Sequence, residues 1–98
     1  MDLYAIRRPS GWRTPEELQA AAARSKQVGD EEMPDDIRWI RSYVVRERDG
    51  GLGTICIYQA SSPEKIREHA ARADIPATDI YDIVDTVIVR PDPVLVEA

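Results

Sequence analysis

The only histidine of the chain, His69, lies in the stretch SSPEKIREHAARADIP, residues 61–76, and the only cysteine, Cys56, stands a little upstream in TICIYQA. An imidazole titrates near pH 6.5, which suits general acid–base work. A thiol becomes a nucleophile where a base stands beside it. His69 falls three residues after Ile66 and one before Ala70, at the margin of an apolar helix face. Lys65, Arg72 and Ala73 occupy the positions one turn away, so no carboxylate orients the ring. Two readings follow: a half-buried histidine hydrogen-bonded across a helix–sheet seam, with Ser42, Gln59 and Ser25 as partners, or a base in a pocket. Cys56 reads as mid-strand and on the sheet side opposite His69, which argues against a Cys–His pair and for a small buried residue.

Metal and phosphate chemistry find little support in spacing. One His and one Cys form no closed zinc-type site, so a metal would need carboxylates or ligands from two subunits. The run Asp30-Glu31-Glu32-Met33-Pro34-Asp35-Asp36 follows a helix C-terminus, where the dipole disfavours negative charge; it reads as a solvated loop. Arg7, Arg8, Arg38, Arg46 and Arg48 read as partners of those acids or as exposed strand charge. Gly-rich phosphate cradles, HExxH, GxSxG and CxxC patterns are absent.

These residues must be positioned by a small set of elements. Leu3 to Arg8 alternates as a strand and runs into Pro9-Ser10-Gly11, a turn signal. Thr14-Pro15-Glu16-Glu17 opens a helix: Thr14 as N-cap, Pro15 at the first position and Glu17 completing a capping box. Leu18, Ala21, Ala22, Ser25 and Val28 then recur at helical spacing, a narrow face of small residues, and Gly29 offers a left-handed end. Ile37 to Glu47 and Leu52 to Ala60 flank Asp49-Gly50-Gly51, a β-hairpin. Ser62-Pro63-Glu64 starts a second helix with Ile66, Ala70 and Ala73 on its apolar side, ended by Asp74-Ile75-Pro76. Ile80 to Val89 is a β-branched run and reads as a fourth strand. The order β-α-β-β-α-β predicts an α+β, ferredoxin-like fold: a four-stranded antiparallel sheet with two helices on one face.

That fold leaves one sheet face bare. With Ile40, Ser42, Val44, Ile55 and Ile57 assigned under the helices, alternation puts Trp39, Arg41, Tyr43, Thr54, Cys56 and Tyr58 on the bare side. A monomer rarely exposes such a patch, so a second copy is expected to cover it about a two-fold axis, as a dimeric α+β barrel. The aromatics then either pack the interface alone or line a ligand cavity with Arg41 and the tyrosine hydroxyls.

Composition sets the outer limits. With 98 residues, one domain is expected over 1–98, its core about 3–90 and a tail over 91–98, whose Val94-Leu95-Val96 could join a sheet edge. The net charge of −5 and pI near 4.8 argue against nucleic acid and against an anionic membrane surface. A single cysteine and the lack of an apolar leader give a cytoplasmic protein as the plain reading.

The strings IRWIRSYV and CIYQASSPEKIREHAARADIPATDIYDI, with the helix opening TPEELQAAAARSK, resemble a family of small bacterial proteins catalogued as domain of unknown function 4242. The resemblance spans about Tyr4 to Pro91. Its most particular stretch is Cys-x-Tyr followed by Ala-x-Ser-Pro-Glu and Ile-Arg-Glu-His-Ala. It implies a dimeric ferredoxin-like fold and brings in Ni2+ as the one metal cofactor to consider, since the best-described relatives bind nickel. By the same match Arg41, Ser42, Tyr43, Cys56, Tyr58 and His69 occupy motif positions. The expectation is a homodimeric binding protein for a small molecule or a divalent metal. Its ligand-contacting residues would be Trp39, Arg41, Ser42, Tyr43, Cys56, Tyr58 and His69. The alternative is a small cofactor-independent enzyme with His69 as acid/base.

Overall fold

Two Ser/Thr-Pro-Glu openings set the helices. In the computed structural model, which describes residues 1–94, the Thr14 hydroxyl accepts the Glu17 amide at 3.2 Å and α1 runs Pro15–Gln27. The Ser62 hydroxyl accepts the Lys65 amide and α2 runs Pro63–Ala73. Each cap stabilises its helix by about 1 kcal/mol. Asp74 ends α2 in the left-handed region, φ 55°. Gly29 does not end α1. The backbone continues through a wider π-type turn over Val28–Glu32, closed by the Met33 amide on the Val28 carbonyl.

The strands are β1 (Asp2–Trp12), β2 (Ile37–Arg46), β3 (Leu52–Ala60) and β4 (Asp79–Asp82). Their spatial order is β2-β3-β1-β4, every neighbouring pair antiparallel. This is the ferredoxin-like arrangement that the element order predicts. The β2–β3 hairpin turns at Gly50, whose φ of 87° suits glycine, while the Asp49 carboxylate accepts the Gly51 amide. Pro9-Ser10-Gly11 is not a turn. β1 continues through it as an irregularity in the β1–β3 register, with Ser10 at φ 50°, and resumes pairing at Trp12.

β4 is shorter than its composition suggests. It pairs with β1 from Arg7↔Asp79 to Tyr4↔Asp82, and the Ile83 amide reaches the Leu3 carbonyl. There β1 begins, so residues beyond have no neighbour to pair with. Val84, Val87, Ile88 and Val89 are 75–94% exposed. Of the expected edge segment Val94-Leu95-Val96, Val94 is exposed and outside any strand, and residues 95 and 96 lie outside the described residues.

Both helices cover one face. Tyr4 and Ile6 of β1, Cys56 and Tyr58 of β3, Ile66 and Ala73 of α2 and Val28 form the main core. Burying each larger aliphatic contributes about 1.5–3 kcal/mol. Trp12, Ala21 and Leu52 form a second cluster, joined by Leu18 and Ile75.

The expected assignment of β3 is therefore reversed: Thr54, Cys56 and Tyr58 face the helices, and Ile55 and Ile57 face away. In β2, Trp39 pairs with Tyr58, but the next pair is Arg41↔Ile57, with Ile40 as the extra residue of a bulge. The bulge resets alternation. Trp39 and Ser42 thus lie on the same side despite their odd spacing, and Ile40 is exposed rather than covered. Arg41 and Tyr43 stay on the open face as expected.

Candidate functional site

The reversal gathers the chemistry-bearing side chains beneath α1. Thr54, Cys56 and Tyr58 project from β3 at period two, Arg8 projects beside Thr54 from β1, and Trp39, Ser42 and Val44 come from β2. Above them α1 presents Leu18, Ala21, Ala22 and Ser25. Small residues over large ones leave a cleft of about 210 Å³, with Trp12 and Ile75 also in its wall. That exceeds the ~150 Å³ that accommodates a benzene ring, and falls below the ~300–1,000 Å³ of drug-sized sites.

A chain of hydrogen bonds fixes the β2 side. Trp39 Nε1 donates to Ser42 Oγ at 2.7 Å, Ser42 Oγ donates to Cys56 Sγ at 3.0 Å, and the thiol donates to Thr54 Oγ1 at 3.4 Å. Trp39 stacks near-parallel to Tyr58, ring centroids 6.0 Å apart. Cys56 is buried, its thiol hydrogen engaged, and its partners are hydroxyls rather than an imidazole.

A second network joins β3 to both helices. Tyr58 Oη lies 3.0 Å from Ser25 Oγ, and the Tyr58 ring meets the His69 ring edge-on at 5.4 Å. His69 Nε2 donates to the Ser25 carbonyl at 2.9 Å; a carbonyl only accepts, so the proton of the neutral ring sits on Nε2. Nδ1 is buried without a partner. Burial pushes the His69 pKa below its ordinary value and the Arg8 charge adds to this, opposed by the Ser25 carbonyl. Burial raises the Tyr58 pKa, partly offset by its bond to Ser25.

Arg8 is the least expected member. It is 1% exposed. Its Nε donates to the Pro76 carbonyl, and its Cζ lies 5.7 Å from the Tyr58 ring centroid, a cation–π contact. No carboxylate pairs with it among the described residues, and Nη2 has no hydrogen-bond partner. A charge taken out of water without a counter-charge costs on the order of several kcal/mol.

Of the residues singled out from sequence, Trp39, Ser42, Cys56 and Tyr58 meet in this cleft. Arg41 and Tyr43 stand on the other face, where both reach Asp92. His69 lies behind Tyr58, on the same side as Cys56 rather than opposite it, and is not among the cleft-lining residues. Its partner is Ser25; Ser42 bonds to Trp39 and Cys56, and Gln59 pairs with Leu3 and Arg38 on the open side. Arg8, Thr54 and Trp12 complete the site. Period-two alternation with Tyr4 and Ile6 was the signal that places Arg8 inward. The acidic run pairs with Lys26, Lys65 and Arg72, not with the arginines expected from sequence. Among the described residues no three His, Cys, Asp or Glu side chains gather as a ligand set.

The family described as nickel responsive protein SCO4226-like matches residues 4–83. The chain belongs to this family. The match bears out the expected small, nickel-associated family, though not the designation as domain of unknown function 4242. The crystal structure of SCO4226 from Streptomyces coelicolor A3(2) superposes with a TM-score of 0.68 at 15% identity, covering 87% of this chain and 99% of that one. At that identity the likeness establishes the fold of this SCO4226-like chain. A search of curated proteins returns no match.

Proposed function

We propose that this SCO4226-like protein is a small-molecule binding protein that works as a homodimer, with the ligand in the cleft beneath α1. The observation that carries the reading is the cleft itself: an apolar space with aromatic walls, bordered by residues that carry hydroxyl, thiol and guanidinium groups, the usual make-up of a ligand site. Trp39, Ser42, Cys56 and Tyr58 contact the ligand, with Ser25 and Thr54 beside them. Both tryptophans of the chain line the cleft, so an occupant must alter intrinsic fluorescence. Titration with benzyl alcohol, a neutral single-ring probe, is expected to shift the emission at millimolar concentration, and Ala22→Phe, which fills the cleft from α1, is expected to abolish the shift. Emission unchanged by benzyl alcohol and by ring-sized acids and amides alike refutes the reading.

The dimer rests on the open face. Leu3, Ala5, Ile55 and Ile57 share it with Tyr43 and Tyr81, and the exposed Val84–Val89 segment runs beside it. A second copy is the economical cover. Sedimentation of a lone subunit at micromolar concentration refutes this part.

Family membership favours a second reading, nickel binding. Ni2+ takes nitrogen and oxygen donors in square-planar or octahedral sets. The described residues of one copy do not fit: His69 Nδ1 is a free imidazole nitrogen, but no second and third donor stand with it. Such a site would have to draw ligands from two copies. NiCl2 should then raise the melting temperature as RT ln(1 + [L]/Kd) predicts, and His69→Ala, a change on the helix side away from the open face, should leave the rise in place. A melting temperature indifferent to millimolar nickel eliminates this reading.

A further inference from the structure

We infer that the ligand of this cleft is a small monocarboxylic acid with an apolar, ring-sized body, its carboxylate held by Arg8; the inference rests on the reading of the cleft as a ligand site. The geometry points there from one anomaly. Arg8 is 1% exposed, lines the cleft, and has no carboxylate partner among the described residues. Its Nε is committed to the Pro76 carbonyl and its Cζ lies over the Tyr58 ring, while Nη2 has no hydrogen-bond partner. A guanidinium anchored at two points, with Nη2 shut off from solvent and still unpaired at the cleft wall, is matched by the planar oxygens of a carboxylate. The charge it lacks is then supplied by the ligand.

The rest of the cleft sets the ligand's body. Trp39 and Tyr58 present near-parallel aromatic surfaces, and Leu18 and Ala22 close the space from α1. At about 210 Å³, the space exceeds what one benzene ring occupies and admits a short acid arm in addition. A dianion such as a phosphate monoester is disfavoured, because a single guanidinium faces it and the molecule carries a net charge of −5. A divalent cation is repelled by Arg8 at this position.

The test compares each acid with its uncharged amide: benzoate and benzamide, phenylacetate and phenylacetamide, hexanoate and hexanamide, titrated at pH 7.5 with tryptophan fluorescence and calorimetry as readouts. At least one acid is expected to bind about ten- to a hundredfold more tightly than its amide, as a hydrogen-bonded charge should. Arg8→Gln is expected to bring the two affinities together. Arg8→Lys, which keeps the charge but loses the planar fork, should recover only part of the difference. Should either variant fold poorly, the acid–amide ratio in the parent protein still decides the matter. If benzyl alcohol or an amide binds and no acid has an advantage, the Arg8 inference is overturned while the cleft reading stands. If neither acids, amides nor benzyl alcohol bind, both fall.

Discussion

The contact between Tyr58 and Ser25 tests the facing of the whole sheet. Tyr58 Oη and Ser25 Oγ are 3.0 Å apart, the residues 1% and 4% exposed. Tyr58→Phe leaves the Ser25 hydroxyl with only the more distant His69 Nε2, 3.5 Å away. Ser25→Ala leaves the phenol oxygen buried beside Arg8. Each single change leaves a buried polar group with a poorer partner and should cost about 1–3 kcal/mol. Removing both hydroxyls strands neither, so the double variant should fall short of the summed losses by about 1–2 kcal/mol. Urea unfolding at pH 7.5, with the denaturant slope checked for constancy, gives the three differences. In a thermal melt each kcal/mol appears as about 4–8 °C for a domain of this size. Were Tyr58 on the bare face, as simple alternation suggests, α1 could not sense it. Losses that add to within about 0.5 kcal/mol would therefore refute the facing, and the cleft with it.

Other consequences are separable. Because the folded His69 pKa lies below its unfolded value near 6.5, the unfolded chain takes up the proton first; stability is complete above about pH 6.5 and falls as the pH drops through the folded value. Denaturant midpoints between pH 7.5 and 5 should fall less steeply in His69→Gln than in the parent, and parallel curves would contradict the burial of the ring. Gly29→Ala should be neutral or stabilising by up to about 1 kcal/mol, since an added Cβ meets Ile37 and His69 only at ordinary contact distances of 3.5 and 3.7 Å; a loss above that size would mean that α1 ends at Gly29 after all. Asp74→Gly relieves a left-handed residue at the end of α2 and should raise stability by about 1 kcal/mol, with an unchanged or lower melting temperature as the contrary result.

How much could be read beforehand depended on whether the signal was local. Caps act within four residues, so Thr14 and Ser62 announced α1 and α2. The Asp49-Gly50-Gly51 turn announced the hairpin, and the element order then fixed the ferredoxin-like topology. Facing is not local. Both sides of β3 are apolar enough to be buried, Ile55 and Ile57 on one and Cys56 and Tyr58 on the other, so hydrophobicity alone cannot choose. The choice falls to the partner of the Tyr58 hydroxyl, which is Ser25 on a distant helix. Nor does β2 advertise its bulge: Trp39-Ile40-Arg41 contains neither glycine nor proline. The β4 run is shorter than its composition predicts for a related reason. Val84 to Val89 has strand propensity, but propensity needs a neighbour, and β1 begins where β4 would have to continue.

The bulge at Ile40 gives the two faces their separate roles. Without it, strict alternation would send Trp39 and Arg41 to the same side, and Trp39 and Ser42 to opposite ones. Trp39 could stack on Tyr58 only by bringing the Arg41 charge under α1, beside the buried Arg8 and far from Asp92. One extra residue removes that conflict: Trp39 and Ser42 turn inward to join Tyr58 and Cys56, while Arg41 and Tyr43 turn outward together. A one-residue slip of β2 would undo the arrangement wholesale. The cleft therefore keeps Arg8 as its single guanidinium, and the open face keeps the polar contacts that tie residue Asp92 to β2. The candidate site and the candidate subunit interface lie on opposite sides of one sheet, and an insertion in a single strand lets β2 contribute to both.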